Sequence, residues 1–326
     1  MLYPLRFEPI YFEKVWGDRR LETIMHRRLP PEIAIGESWE VSDHPHGRSV
    51  IANGPARGTT LHALISQQPN EILGTRVCGR FDTVFPLLVK YIDAGEELSV
   101  QVHPSDEYAA EHAGEMGKTE MWYVLHADPG ACLIAGLREG VTREAFQQAL
   151  IDGDPAALLH RMPVRTGDSI FIPSGRIHAI MPGLVILEIQ QSSDTTYRLY
   201  DWGRMGLDGK PRELHVEQAL AVSDWSDYEP QPGVVSVETE GDNRKTVLAT
   251  CPYFTVEKYD LRGERTFATD GGSFHILNCV AGNGTLSWEG GTDTITVGDS
   301  ILVPAGLRHF TLCPHSDASI LVSYVP

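Results

Sequence analysis

Two segments of this chain repeat one another. "GDSIFIPSGRIHAI" begins at Gly167 and "GDSILVPAGLRHFTL" begins at Gly298. They align without a gap, so Pro173 falls on Pro304 and His178 on His309. Further upstream, "EMWYVLHADPGACL" from Glu120 is similar to "HILNCVAGNGTL" from His275. Chance does not readily produce G-D-S-I-x-x-P-x-G-x-x-H twice, so two related β units are expected in one chain. The first unit is longer between its two segments, and the extra length is a helical stretch near residues 138–160.

The rest of the chain agrees with a β fold. Short runs such as "FPLLVKYI", "MWYVLH", "LVILEIQ", "YFTVEKYDL" and "ASILVSYV" are rich in Val and Ile and bounded by Gly, Pro and Asp. Such runs read as strands of antiparallel sandwiches or barrels. A few helices interrupt them. "TREAFQQALIDG" has Thr142 as N-cap and Gly153 as stop. "DPAALLHRM" has Asp154 as cap and Pro155 at the first helical position. "TLHALISQQP" and "RELHVEQALAV" are two more. The expected class is mainly β, with residues 1–225 and 226–326 as the two units.

Composition bounds the partners. The chain has 326 residues, 42% hydrophobic and 22% charged, which is ordinary for a globular protein. Its formal charge of -17 repels polyanions, so nucleic acid is not an expected partner. The same field opposes a phosphorylated small molecule unless a local cluster of Lys and Arg receives it. No apolar run is long enough to span a membrane, and the N-terminus lacks the plan of a signal peptide. Five scattered cysteines without a CxxC pair fit a reducing cytoplasm.

The stretch "LSVQVHPSDEY" holds the first candidates for chemistry. Gln101 and His103 are two apart on a strand that stops at Pro104, so they share a face. The segment G-D-x-x-x-x-P-x-G-x-x-H resembles the second motif of the cupin family, in which a strand, a Gly-Pro turn and a histidine face into a small barrel. In that family an earlier motif supplies further ligands to a divalent metal. Here the earlier material is Gln101, His103 and Glu120, with His178 beyond the turn. Alone, each has an ordinary structural reading. Together, two imidazoles, a carboxylate and an amide oxygen form a mixed N/O set suited to zinc or another borderline divalent ion. In the second copy His309 remains and His275 stands where Glu120 would be. Glu257 and Tyr259 are taken there as counterparts of Gln101 and His103. That poorer set predicts no metal in the second unit.

The order "LLVKYIDAGEELSVQVHPSDEYA", "GKTEMWYVL", "FIPSGRIHAI", "LEIQQSSDTTYRLYDWGR" is more specific. It resembles the type I mannose-6-phosphate isomerases, in particular the short bacterial form, as do "KVWGDRRL" and "GESWEVSDHPHG". The resemblance implies one zinc ion per chain on Gln101, His103, Glu120 and His178. It places the active-site arginine on Arg198, the lysine of "GKTE" on Lys118, and the lysine upstream of QVHP on Lys90. Trp16 resembles a residue near the pocket. Lys90, Lys118, Arg176 and Arg198 would supply the positive charge that a phosphate needs. Asp194 and Glu188 are carboxylates near the same site.

The implied reaction moves a proton between carbon 2 and carbon 1 of a sugar phosphate through a cis-enediol. Zinc would stabilise the oxyanion. The sequence leaves the general base open among zinc-bound water, Glu188, Asp194 and Lys118. Two other readings stand beside it: another metal-dependent cupin enzyme, dioxygenase-like, or a non-catalytic sugar-binding cupin. A monomer or weak homodimer is expected.

Overall fold

Four large sheets, which fall into two pairs, and a two-stranded ribbon of Asp43–His44 and Gly47–Arg48 make up the described strands. The computed structural model describes residues 2–326. In the first unit a six-stranded antiparallel sheet runs, in spatial order, Ser169–Ile172, Glu120–Ala127, Leu184–Gln191, Leu87–Ala94, Ile35–Val41, Ile10–Asp18. A five-stranded sheet faces it, in the order Leu159–Pro163, Cys132–Leu137, His178–Ile180, Val100–Val102, Tyr197–Tyr200. The second unit repeats the plan. Its larger sheet runs Leu5–Arg6, Ser300–Val303, His275–Ala281, Ala318–Tyr324, Thr255–Leu261, Asn243–Thr250, Ser236–Glu240. Its smaller sheet runs Arg265–Ala268, His309–Pro314, Asn283–Trp288, Gly291–Thr296. The molecule is mainly β with two cupin barrels, as the repeat implies.

Strand alternation decides what each face does. Odd-numbered Tyr91, Met121, Tyr123 and Leu187 point away from the first barrel. They pack with Val256, Ile276, Leu302 and Leu321 of the second unit's larger sheet in one shared core. Even-numbered Ile92, Trp122 and Ile186 point inward, against Leu133, Ala135 and Ile180 of the smaller sheet. Both faces of the larger sheet are therefore buried, which is why its strands read as nearly continuous apolar runs. The outer face of the five-stranded sheet is covered by helices at Arg143–Asp152 and Val216–Val222, through Phe146 and Leu220.

The seam between units is tight. The strand Leu5–Arg6 leaves the N-terminus and pairs with Ile301 and Leu302 of the second unit. Gly74 has φ of +96°, and a Cβ there would stand 2.5 Å from the Gly272 backbone. Only glycine fits both the left-handed backbone and that close approach.

Several local expectations change. Thr142 caps its helix by accepting from the Ala145 N–H at 3.2 Å, and Gly153 ends it with φ of +84°. "DPAALLHRM", however, is one 3-10 turn at Pro155–Leu158 that runs straight into the strand Leu159–Pro163. That strand pairs with Cys132–Leu137, and tertiary pairing overrides the local helical pattern. The assignment of Glu257 and Tyr259 as counterparts of Gln101 and His103 is also corrected. Thr255–Leu261 pairs with Ala318–Tyr324 as Leu87–Ala94 pairs with Leu184–Gln191, so Glu257 stands at the position of Lys90. The counterpart of Val100–Val102 is Arg265–Ala268, with Ala268 opposite His309 as Gln101 is opposite His178. Four residues, "RTFA", carry too little apolar signal to show as a strand in the sequence. The other placement holds: His275 pairs with Val303 as Glu120 pairs with Ile172. Among the described residues no helix is long and apolar enough to cross a membrane.

Candidate metal centre and substrate cavity

The inward positions of the first barrel bring a histidine, a glutamate and a second histidine together. His103 follows the strand Val100–Val102, Glu120 opens the next strand of the other sheet, and His178 opens the strand after the Gly-Pro turn. Each of the three offers an atom within 4.8 Å of the others' atoms, and all three are buried. His103 Nδ1 donates to the Thr195 carbonyl at 2.9 Å, and His178 Nδ1 donates to the Arg176 carbonyl at 2.9 Å. Both rings thereby turn a bare Nε2 toward Glu120, at 3.2 Å from His103 and 3.9 Å from His178. Such carbonyl anchors fix the tautomer that a metal ligand needs.

Electrostatics points the same way. Burial, reinforced by the neighbouring His103, holds His178 down to about 3. Burial and the Lys118 ammonium hold His103 below its ordinary range. Both imidazoles are neutral at pH 7. Glu120 is opposed by burial, yet Lys118 and His103 keep its carboxyl well below the usual range. Lys118 Nζ stands 3.0 Å from Glu120 Oε1. Nevertheless, neither Glu120 oxygen accepts an aligned hydrogen bond from any described residue. A buried carboxylate between two neutral imidazoles, with their ring nitrogens turned toward it, is a donor set that fits a divalent cation.

Gln101 adjoins this cluster. Its Nε2 donates to His178 Nε2 at 3.3 Å, and its Oε1 accepts from Ser99 at 3.3 Å. A divalent ion takes an amide oxygen, so ligation by Gln101 uses the flipped amide.

In front of the cluster lies a cavity of about 290 Å³. Gln101 and Lys118 form its inner end; Trp16, Trp122, Ile92 and Leu98 give it apolar wall. Lys90, Glu188, Asp194 and Arg198 also line it, so all but one of the site residues read from the sequence reach this cavity or the cluster behind it. Arg176 does not. Its guanidinium makes a bidentate pair with Asp227 at 2.7 Å and donates to the Phe171 carbonyl.

The cavity's charges are mostly committed. Lys90 lies 3.0 Å from Glu188 and 3.6 Å from Glu37, and these carboxylates raise it far above its ordinary range despite burial. Trp122 Nε1 donates to Glu188 Oε2 at 2.8 Å, while the Lys90 ammonium stands beside Oε1. Burial and the Glu120 charge push Glu188 above the usual carboxylate range. Asp194 is held by His46 at 2.8 Å. Arg198 differs. It donates to Ser99 at 3.3 Å and to the Glu213 carbonyl at 2.8 Å, but has no carboxylate partner among the described residues. Burial and the adjacent Arg212 lower its pKa. A half-buried guanidinium beside a second one is a receptor for an anion.

Three charged lining residues were not singled out in the sequence. Lys14 pairs with Glu37 at 3.1 Å, and Glu37 accepts from Trp39 Nε1 at 2.8 Å. Arg212 is held by Asp201, with Nε to Oδ2 at 2.7 Å. Lys14 was within reach of the sequence, because it is two residues from Trp16 on one strand. Arg212 sits in an irregular loop that gives no such signal.

This fold and this cluster define a cupin with a candidate divalent-metal centre under a cation-lined cavity. The family description "Phosphomannose isomerase type I, catalytic domain" matches residues 5–131, and "Mannose-6-phosphate isomerase, cupin domain" matches residues 243–325. A mannose-6-phosphate isomerase of Streptococcus mutans is 37% identical over 99% of both chains. One from Bacillus subtilis is 37% identical over 95% of both chains. The crystal structure of the mannose 6-phosphate isomerase from Bacillus subtilis is similar, at 35% identity and a TM-score of 0.89, over 98% of this chain and 99% of that one. The chain belongs to the type I phosphomannose isomerase family.

Proposed function

We propose that this chain interconverts mannose 6-phosphate and fructose 6-phosphate, with Gln101, His103, Glu120 and His178 holding one zinc ion at the inner end of the cavity. The observation that carries the site is Glu120, buried between two imidazoles whose Nε2 atoms face it. A bound divalent ion supplies Lewis-acid polarisation of the substrate oxygens at carbons 1 and 2.

The chain's own residues do the rest. Arg198, free of any carboxylate among the described residues, takes the phosphate, with Arg212 beside it. Lys118 lies next to Glu120 and holds positive charge where the cis-enediol oxygens develop negative charge. Lys90 and Trp122 fix Glu188, whose Oε1, beside the Lys90 ammonium, carries the proton between carbon 2 and carbon 1. Its raised pKa suits a group that must both take and return a proton. Asp194 orders the sugar hydroxyls, and Trp16 packs against the ring.

The supporting frame is a catalytic unit of residues 1–225 and a second, metal-free unit of 226–326. Five free thiols fit a cytoplasmic setting, and a monomer or weak homodimer completes the reading. A coupled isomerase assay on mannose 6-phosphate tests it. Activity should disappear on chelation and return with one equivalent of zinc per chain. Full activity in the stripped protein, or none on this substrate with the ion restored, overturns it.

A further inference from the structure

Glu115 lies outside the cavity, in the bend between the helix Asp106–His112 and the strand that opens at Glu120. Two distant parts of the chain converge on its carboxylate. Oε2 accepts from Ser193 Oγ at 3.1 Å, from the Asp194 N–H at 3.1 Å and from Thr195 Oγ1 at 2.8 Å. Oε1 is 3.4 Å from His44 Nε2. One side chain thus gathers three donors from three consecutive residues.

What that tripeptide carries explains why it is held so firmly. It lies between the strands Leu184–Gln191 and Tyr197–Tyr200, where no ladder pairs it. The Thr195 carbonyl receives His103 Nδ1 at 2.9 Å, which sets the tautomer and ring plane of His103. Asp194 and Thr196 line the cavity, and Arg198 follows two residues later. Remove the carboxylate, and the three donors turn to water. The unpaired turn then relaxes, and the carbonyl is no longer fixed under the imidazole.

We propose that Glu115 is a positioning residue for the metal centre, acting through the Thr195 carbonyl on His103. This rests on the reading of His103 as a ligand. Outer partners of ligating histidines commonly change metal affinity by about 10- to 100-fold.

The test uses the full chain loaded with Co²⁺, whose visible absorption reports ligand geometry, and follows its release into excess chelator. For Glu115→Ala we expect a changed cobalt spectrum, release at least ~10-fold faster, and kcat reduced more than KM. Glu115→Gln retains an acceptor oxygen and should restore most of each. A wild-type spectrum and release rate in Glu115→Ala overturn the proposal. Should that variant not fold, the double variant S193A/T195V keeps Glu115 and removes two of its three donors. Unchanged cobalt spectrum and release there overturn the proposal equally. If the wild-type chain takes up no cobalt, the metal reading itself fails, and this inference goes with it.

Discussion

Where the first barrel carries Lys90, the second carries Glu257; where the first carries Glu37, the second carries Lys245. The same ion pair is present with its polarity reversed, at 3.6 Å in the first unit and 2.8 Å in the second. Around it the two interiors diverge. In the first, Lys90 continues to Glu188 and a cavity remains. In the second, Val322 takes the place of Glu188, and Glu257 accepts from the Tyr259 hydroxyl at 2.7 Å. Phe267 and Phe310 stack at 4.8 Å, and Arg265 lies over Tyr259 at 4.7 Å. The proposed ligand positions diverge as well. Gln101, His103, Glu120 and His178 face Ala268, Asp270, His275 and His309 in register, and Asp270 is tied to exposed Arg76. One strand order therefore serves either as a hollow site or as a packed core. The choice lies in a few inward side chains, not in the fold.

Paired substitutions can break that comparison. Glu120→Gln should lose nearly all bound metal and lower turnover at least ~1,000-fold, since the charge that neutralises the ion is gone. His275→Ala, at the register counterpart, should leave both unchanged. Metal analysis beside the isomerase assay checks this, and equal losses from both variants would remove the distinction between the barrels. Next in size, Arg198→Ala should reduce kcat/KM by ~100-fold, about 3 kcal/mol for a lost charge-assisted contact, with metal content intact. Loss of the ion from that variant would instead make Arg198 a support of the centre.

Much of this was legible because it rests on alternation and on the repeat. The shared face of Gln101 and His103 survives although His103 stands just past the strand Val100–Val102. The aligned repeats placed His275 at the position of Glu120, as the pairings with Val303 and Ile172 bear out. What failed was whatever depended on neighbours rather than on local pattern. Thr255–Leu261 looked like the QVHP strand by order along the chain, yet its partner is Ala318–Tyr324. Arg176 read as a pocket cation because it precedes His178 by two residues, yet Asp227, 51 residues later, captures it. Arg212 entered the cavity unannounced because a loop without period carries it. Glu115, in a short bend after a helix, gave no sign that it reaches Thr195, 80 residues away.

Acid should sharpen the contrast. Burial brings His275 down to about 4, so it is neutral in the folded state and protonates in the unfolded chain near 6.5. Above pH 6.5 neither state binds that proton and stability is whole. As pH falls through 6.5 toward 4 the unfolded state gains protons first, and folding stability is lost, on the order of 3 kcal/mol from this group. His275→Gln should flatten that part of the stability curve. Denaturant titrations from pH 7 to 4 on metal-free protein check it, and an unchanged slope refutes the neutral assignment.

The smallest expected effect concerns the reversed ion pair. In Glu257→Gln the amide oxygen still accepts from Tyr259, and Lys245, whose side chain is 21% exposed, can turn to water. The loss should be about 1 kcal/mol, a fall in Tm of about 2–4 °C, with kcat unchanged. The equivalent change in the first barrel, Glu37→Gln, leaves Lys90 buried with Glu188 alone and Lys14 without its carboxylate, so it should disturb turnover as well as stability. If Glu257→Gln lowered kcat more than about twofold, the packed barrel would be transmitting strain through the shared core that Val256 and Tyr91 both enter. The second unit would then be part of the catalytic machinery rather than its foundation.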